Sequence, residues 1–236
     1  MIISLMEMGA MMRYEEVMER LKSLSNMVAV AGMARYGIST TNTYGISIPH
    51  LRNIAREIGK NHSPAQELWS SGIDEARILA SMVDKPDEVT EAQVEDWVKD
   101  FDSWDVCDQC CANLFARTTF AYQKAVEWSS REEEFIKRAG FALMEVLAVH
   151  DKNGGDADFW QFLPLIQREA IDHRNFVKKA VNWALRQIGK RNLFLNVEAI
   201  ETAQEIQKIN SPSAKWIASG AIRKLESESV PKRLRK

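Results

Sequence analysis

Apolar residues recur at three- and four-residue steps through most of the chain. Val17, Leu21, Leu24 and Val28 form one such row, and Leu51, Ile54, Ala55 and Ile58 a second. A third runs through Val94, Trp97, Val98 and Phe101, and a fourth through Phe135, Ile136, Ala139, Leu143, Val146 and Leu147. This spacing places each row on one face of an α-helix. No period-two alternation marks a strand. The interruptions are short and carry capping chemistry: Ser63-Pro64, Thr90-Glu91 and Ser211-Pro212 open helices, and Lys152 to Asp156 reads as a loop. The pattern predicts an all-α protein of about a dozen helices, most of roughly 8 to 18 residues.

The helices also repeat. FIKRAGFALMEVLAV (135–149) aligns with FVKKAVNWALRQIGK (176–190) at an offset of 41, and the latter with KWIASGAIRKL (215–225) at an offset of about 37. Such offsets suit a curved helical-repeat solenoid of HEAT- or armadillo-like helix pairs, in which neighbouring pairs bury what one pair leaves exposed. In that arrangement Arg138 and Lys179, equivalent by the offset of 41, point to the same side. An ordinary helical bundle also satisfies the periodicity.

Length and composition add limits. The 236 residues, 45% of them hydrophobic and without a long linker, read as a single domain over 1–236. The opening MIISLMEMGAMM is interrupted by Glu7 and lacks a basic lead or a small-residue cleavage site, so it reads as neither a signal peptide nor a membrane span. Three cysteines, an odd number, argue against a disulfide framework and for a reducing, cytoplasmic setting.

The net charge of −2 conceals an asymmetry: residues 1–130 carry 12 Lys+Arg against 19 Asp+Glu, whereas residues 131–236 carry 19 against 14. The densest basic stretch runs from Arg168 to Arg191, with seven cations against Glu169 and Asp172. That points to an anionic partner such as nucleic acid, or to a solvated helix face.

Two stretches hold candidate chemistry. In SWDVCDQCC (103–111), Asp102 or Ser103 can cap a helix starting at Trp104. Trp104, Cys107, Asp108, Cys111 and Phe115 then share one side, and Asp108 is the polar misfit among them. Asp105 lies in the first turn, where a carboxylate complements the helix dipole. Zinc binding fails on counting, because the cysteines share one helix and no second CxxC or HxxxH completes four ligands, so no metal or other cofactor is expected. The cysteines read as small core residues. In the second stretch, Lys179, Trp183, Arg186 and Lys190 line one side of a helix whose core stripe is Val177, Ala180, Val181, Ala184, Leu185 and Ile188. An indole within a cationic stripe suits a phosphate backbone beside something flat, or a packing contact covered by lysine and arginine stems.

Four stretches in order, YGIS (44–47), SWDVCD (103–108), FIKRAGF (135–141) and NFVKKAVNWALRQIGK (175–190), resemble the DNA alkylation repair family of the AlkD type. The likeness spans roughly residues 15 to 225, leaving a weakly matched N-terminus (1–14) and a basic tail (about 228–236) that reads as disordered and adds nonspecific DNA affinity. It implies a glycosylase that hydrolyses the N-glycosidic bond of cationic alkylpurines such as 3-methyladenine and 7-methylguanine in duplex DNA, without a base-specific pocket. Carried over, the catalytic aspartate falls on Asp108, the two tryptophans on Trp104 and Trp183, and the arginine on Arg138, which would grip a phosphate. Lys179, Arg186, Lys190 and Arg191 become the DNA contacts, and the acidic run from Asp84 to Asp105 lies away from the DNA. The expected partner is duplex DNA with alkylated bases and the expected state a monomer, with no membrane. A non-catalytic helical-repeat module binding DNA or protein through the same face is the alternative.

Overall fold

The computed structural model describes residues 13–234; the apolar opening discussed above lies outside them. Every regular element among the described residues is helical. In chain order the α-helices are Tyr14–Ser23 (α1), Met27–Met33 (α2), Ile48–Ile58 (α3), His62–Ser70 (α4), Asp74–Val83 (α5), Glu91–Lys99 (α6), Trp104–Asn113 (α7) and Ala121–Ser129 (α8). Then follow Glu134–His150 (α9), Asp156–Trp160 (α10), Leu163–Glu169 (α11), Asn175–Ile188 (α12), Leu193–Lys208 (α13), Pro212–Leu225 (α14) and Ser229–Leu234 (α15). The described helices outnumber the dozen expected because several are only five to seven residues long. The chain divides into two compact units, residues 1–93 and 94–236.

In the first unit Val17, Leu21, Leu51 and Ile54 of the predicted rows are buried, as are Leu68, Leu79 and Val83 on the helices packed against them. Leu24 and Val28 depart from their row and are exposed, because α1 stops at Ser23 and the chain turns before α2. The YGIS stretch owes its shape to a buried carboxylate. Glu75 on α5 accepts hydrogen bonds from Thr43 Oγ1 (2.8 Å) and from the backbone N–H groups of Tyr44 (2.8 Å) and Ile46 (3.0 Å). Between them Gly45 takes φ +73°, where a Cβ would stand 2.5 Å from the Asn26 carbonyl oxygen, so only glycine fits. A second buried carboxylate, Asp84, accepts from His62 Nδ1 (2.8 Å) and Gln93 Nε2 (2.7 Å), tying α4 to the start of α6.

In the second unit α9 is the central helix, packed most extensively against α12 and then against α8 and α7. Twelve of its seventeen residues are buried, which is why its sequence is apolar nearly all round rather than amphipathic. Gly140 allows the close approach of α8: a Cβ there would lie 2.5 Å from the Ser129 backbone nitrogen. Further along, α12 packs on α14 and α14 on α13, so the elements follow one another as stacked helix pairs. Ser211 caps α14 through Ala214 N–H, as its sequence position suggests, whereas α4 starts one residue before Ser63, at His62. The C-terminal stretch read as a disordered tail is helical over Ser229–Leu234, because Val230 is buried and anchors it; residues 235 and 236 lie outside the described ones.

Candidate active site

Helix α7 starts where the sequence placed it, but not with the expected cap. Ser103 occupies the N-cap position and turns its hydroxyl to the Asp105 carboxylate instead of a backbone N–H. The helix ends at Asn113, a poor interior helix former, so Phe115 falls in a following 3₁₀ turn while staying buried. Cys107, Cys110 and Cys111 are fully buried. Cys107 Sγ and Cys111 Sγ lie 3.7 Å from the carbonyls of Phe135 and Ala139, which stitches α7 to α9, and burial pushes both thiols above their ordinary pKa. They are packing residues with little thiolate character.

Asp108 projects from the same turn toward α9 and meets Arg138. Arg138 Nε donates to Asp108 Oδ1 (2.9 Å) and Nη2 to Oδ2 (2.7 Å), a bidentate fork, while Nη1 donates to the Phe176 carbonyl on α12 (2.7 Å). The guanidinium carbon also lies 5.9 Å from the centre of the Trp104 ring. One arginine therefore joins α7, α9 and α12. Its side chain is 6% exposed and that of Asp108 14%, so the pair is nearly dry but the carboxylate keeps an opening. Burial pushes the Asp108 carboxyl above its ordinary value, against the pull of Arg138. Arg138, expected to grip a phosphate, here uses three of its five N–H groups inside the protein, two of them on the Asp108 carboxylate and one on a backbone carbonyl.

Glu145, seven residues after Arg138 and on the same face of α9, belongs to this site although the sequence reading passed over it. It is buried, accepts a hydrogen bond from Gln187 Nε2 on α12 (3.3 Å), and has its pKa pushed up to about 7 by desolvation first and the neighbouring Asp108 charge second. The signal available in sequence was a lone acid at a core position of an otherwise apolar helix. Trp183 sits on α12 seven residues after Phe176 and four before Gln187, hence on the face whose ends meet Arg138 and Glu145. It is partly exposed.

The chain matches the sequence pattern of proteins described as DNA alkylation repair enzymes over residues 17–225. The chain belongs to that family. Among curated proteins, it is similar to an uncharacterised protein of Listeria innocua, 23% identical over 204 residues and covering 85% of this chain and 89% of the other. A counterpart in Listeria monocytogenes is 22% identical over 207 residues, with the same coverage. Its fold is similar to a solved structure described as a new family related to the HEAT-like repeat DNA glycosylases with affinity for branched DNA structures (TM-score 0.75, 19% identity, covering 91% of this chain and 96% of that one). The fold of this family member is thus all-helical and HEAT-like.

The remaining candidate residues separate into two groups. Arg191, expected to contact DNA, is instead a staple: Nη1 donates to the carbonyls of Ala148 and Asp151 (2.8 Å each) and Nη2 to that of Gly154 (3.1 Å), with the guanidinium carbon 3.6 Å from the Phe159 ring centre. It satisfies carbonyls left open where α9 ends. Lys190 Nζ donates to Gln187 Oε1 (3.1 Å), beside the Glu145 hydrogen bond. Lys179 is exposed, and Arg186 Nη1 approaches Asn182 Oδ1, one turn back on the same helix, at 3.5 Å. Arg168 and Arg174, part of the dense basic stretch, are paired with Glu169 and Asp172.

Proposed function

We propose that this DNA alkylation repair protein is a monofunctional glycosylase that hydrolyses the N-glycosidic bond of cationic alkylated purines, of the 3-methyladenine and 7-methylguanine type, in duplex DNA, and acts as a monomer. The observation that carries this reading is the Asp108 carboxylate, fixed by the Arg138 fork beside the Trp104 indole and still partly open to solvent.

A methylated purine already bears positive charge, so its bond to the sugar breaks without a strong acid. The C1′–N electron pair leaves with the base and neutralises it. Positive charge then builds on the deoxyribose, as in other glycosyl transfers. Each Asp108 oxygen uses one lone pair on Arg138 and keeps another for the sugar or for the attacking water. Water adds to C1′ and its proton passes to a carboxylate and on to solvent. A preorganised charge of this kind is typically worth about 3 kcal/mol, roughly a hundredfold in rate. The faces of Trp104 and Trp183 suit the sugar edge and the cationic base, at about 0.5–2 kcal/mol each. Glu145, poised near neutrality, sets the charge beside Asp108: protonated, it leaves Asp108 the site's one anionic acid; ionised, it adds a second negative charge.

The test is release of free 3-methyladenine or 7-methylguanine from methylated duplex DNA. Release that is lost in Asp108→Asn while DNA binding persists supports the assignment; no release under conditions where a control glycosylase works overturns it. A second reading, binding of DNA without catalysis, is favoured by the engagement of both Asp108 oxygens with Arg138 and by the DNA affinity described for the structural neighbour. That outcome would appear as tight binding with no release.

A further inference from the structure

Helices α12 and α14 enclose a cleft of about 580 Å³ lined by Asn182, Arg186, Lys215, Trp216, Gly220 and Arg223, among others. It is the next groove along from the Trp104–Asp108 site, sharing only α12 with it. We infer that this cleft takes an unpaired nucleotide of a DNA strand, its base stacked on Trp216 and its flanking phosphates held by Lys215, Arg223 and Arg186. The inference rests on the nucleic-acid part of the reading above, not on catalysis.

Four observations converge on that occupant. Trp216 is 47% exposed, unusual for the largest apolar side chain, and Lys178 Nζ stands 5.4 Å from its ring centre, so the indole already sits in a cationic setting. The cleft is basic throughout: Arg186, Lys215, Arg223 and Lys224 line it, no carboxylate does, and none of these four makes an ion pair among the described residues. By contrast, two of the more buried lysines in this unit are neutralised, Lys124 by Glu95 and Glu127 and Lys137 by Glu169. Arg186 keeps donor capacity: its Nε is buried without a partner, and its Nη1 contact to Asn182 is long. Finally, the floor is built rather than accidental. Asn182 is buried and donates to the Ile217 carbonyl (2.8 Å), and Gly220 leaves the space above it open, since a Cβ there would come within 3.1 Å of Asn182 Nδ2.

An aromatic face amid unpaired cations is the chemistry of single-stranded nucleic-acid sites, where bases stack on side chains and phosphates meet lysine and arginine. A duplex presents phosphates but no free base face, so Trp216 would be wasted on it. A duplex with an unpaired tail supplies both. The cleft volume lies within the usual range of small-ligand sites, ample for one nucleotide.

The experiment compares binding of unmethylated blunt duplex with that of the same duplex carrying a short oligothymidine tail, read by fluorescence anisotropy on the full chain. Because the DNA is undamaged, failure of the glycosylase reading leaves this test intact. The tailed duplex should bind on the order of tenfold tighter than the blunt one. Trp216→Ala should abolish that preference, Trp216→Phe should keep most of it, and Lys215→Ala with Arg223→Ala should lower the salt slope for the tailed duplex by about two. Thermal unfolding checks that each variant is folded. Equal affinity for both duplexes in the native protein overturns the inference, as does a preference that survives Trp216→Ala. Displacement of the tail by polyglutamate as effectively as by oligothymidine also overturns it, in favour of an acidic protein segment.

Discussion

Positions 138 and 179 are equivalent in the 41-residue repeat, yet their charges have opposite fates. Arg138 is buried and spends its donors on Asp108 and a backbone carbonyl, whereas Lys179 is exposed and makes no ion pair among the described residues. The same offset relates Glu145 to Arg186: the first is a buried acid hydrogen-bonded to Gln187, the second a cation with donor capacity unspent. The difference lies in what each helix faces. Opposite Arg138, α7 presents Asp108; around Lys179 and Arg186 no carboxylate answers. One repeat therefore carries a buried, paired polar cluster and the next cations without an ion pair among the described residues. The helices repeat, but the side chains at the two equivalent positions meet different surroundings.

The sharpest way to break the comparison is to truncate the buried member. Arg138→Ala leaves the Asp108 carboxylate nearly dry and uncompensated and frees the Phe176 carbonyl, so it should cost about 3–5 kcal/mol. For a chain of this size that is a fall in Tm of roughly 10 °C, measured by calorimetry or circular dichroism. A change below about 1 kcal/mol would mean that the Arg138–Asp108 fork contributes little to the fold.

Asp108→Asn separates the site's chemistry from its packing. The amide keeps the shape and one acceptor but loses the charge, so base release should fall about a hundredfold while duplex affinity changes less than about twofold. Single-turnover release from methylated DNA measures the first and anisotropy the second. An equal loss in both would place Asp108 in binding alone.

Most of the fold was open to inspection in the chain, since the three- and four-residue apolar spacing and the 41-residue offset are local properties. Trp104 and Asp108 could be singled out because a carboxylate interrupts an apolar stripe. What stayed hidden depends on partners far apart in sequence. Nothing near Arg138 announces that its fork is taken by a residue 30 positions earlier, and nothing near Arg191 announces four backbone contacts to carbonyls some 37 to 44 residues back. Glu145 stands out in the sequence only as a lone acid in an apolar helix; its character comes from Asp108 and Gln187, on two other helices. Trp216 hid inside a repeat that reads as core until its exposure is known.

Glu145 also yields a pH signature that Arg186 cannot. Its carboxyl has an ordinary value of 4.5 and is raised to about 7 in the folded protein, so folding favours the protonated form. The stability this provides is intact below about pH 4.5 and is lost as pH rises through about 7, on the order of 3 kcal/mol in all. Between pH 5 and 8 the native protein should lose roughly 5 °C in Tm from this group, and Glu145→Gln should flatten that part of the profile. An unchanged profile in the variant would assign the pH dependence elsewhere.

The smallest effect belongs to the open member of the pair. Lys179→Ala removes an exposed side chain with no ion pair among the described residues, so stability should shift by no more than about 0.5 kcal/mol. If Lys179 meets a phosphate, the logarithmic salt dependence of duplex binding should drop by about one unit, and affinity should weaken uniformly across sequences. Arg191→Ala supplies the counterpart, because its guanidinium is held by carbonyls rather than presented to solvent. It should lower Tm and leave the salt slope unchanged. A salt slope that moves with Arg191 and not with Lys179 would reverse the division between staple and surface on which the comparison of the two repeats depends.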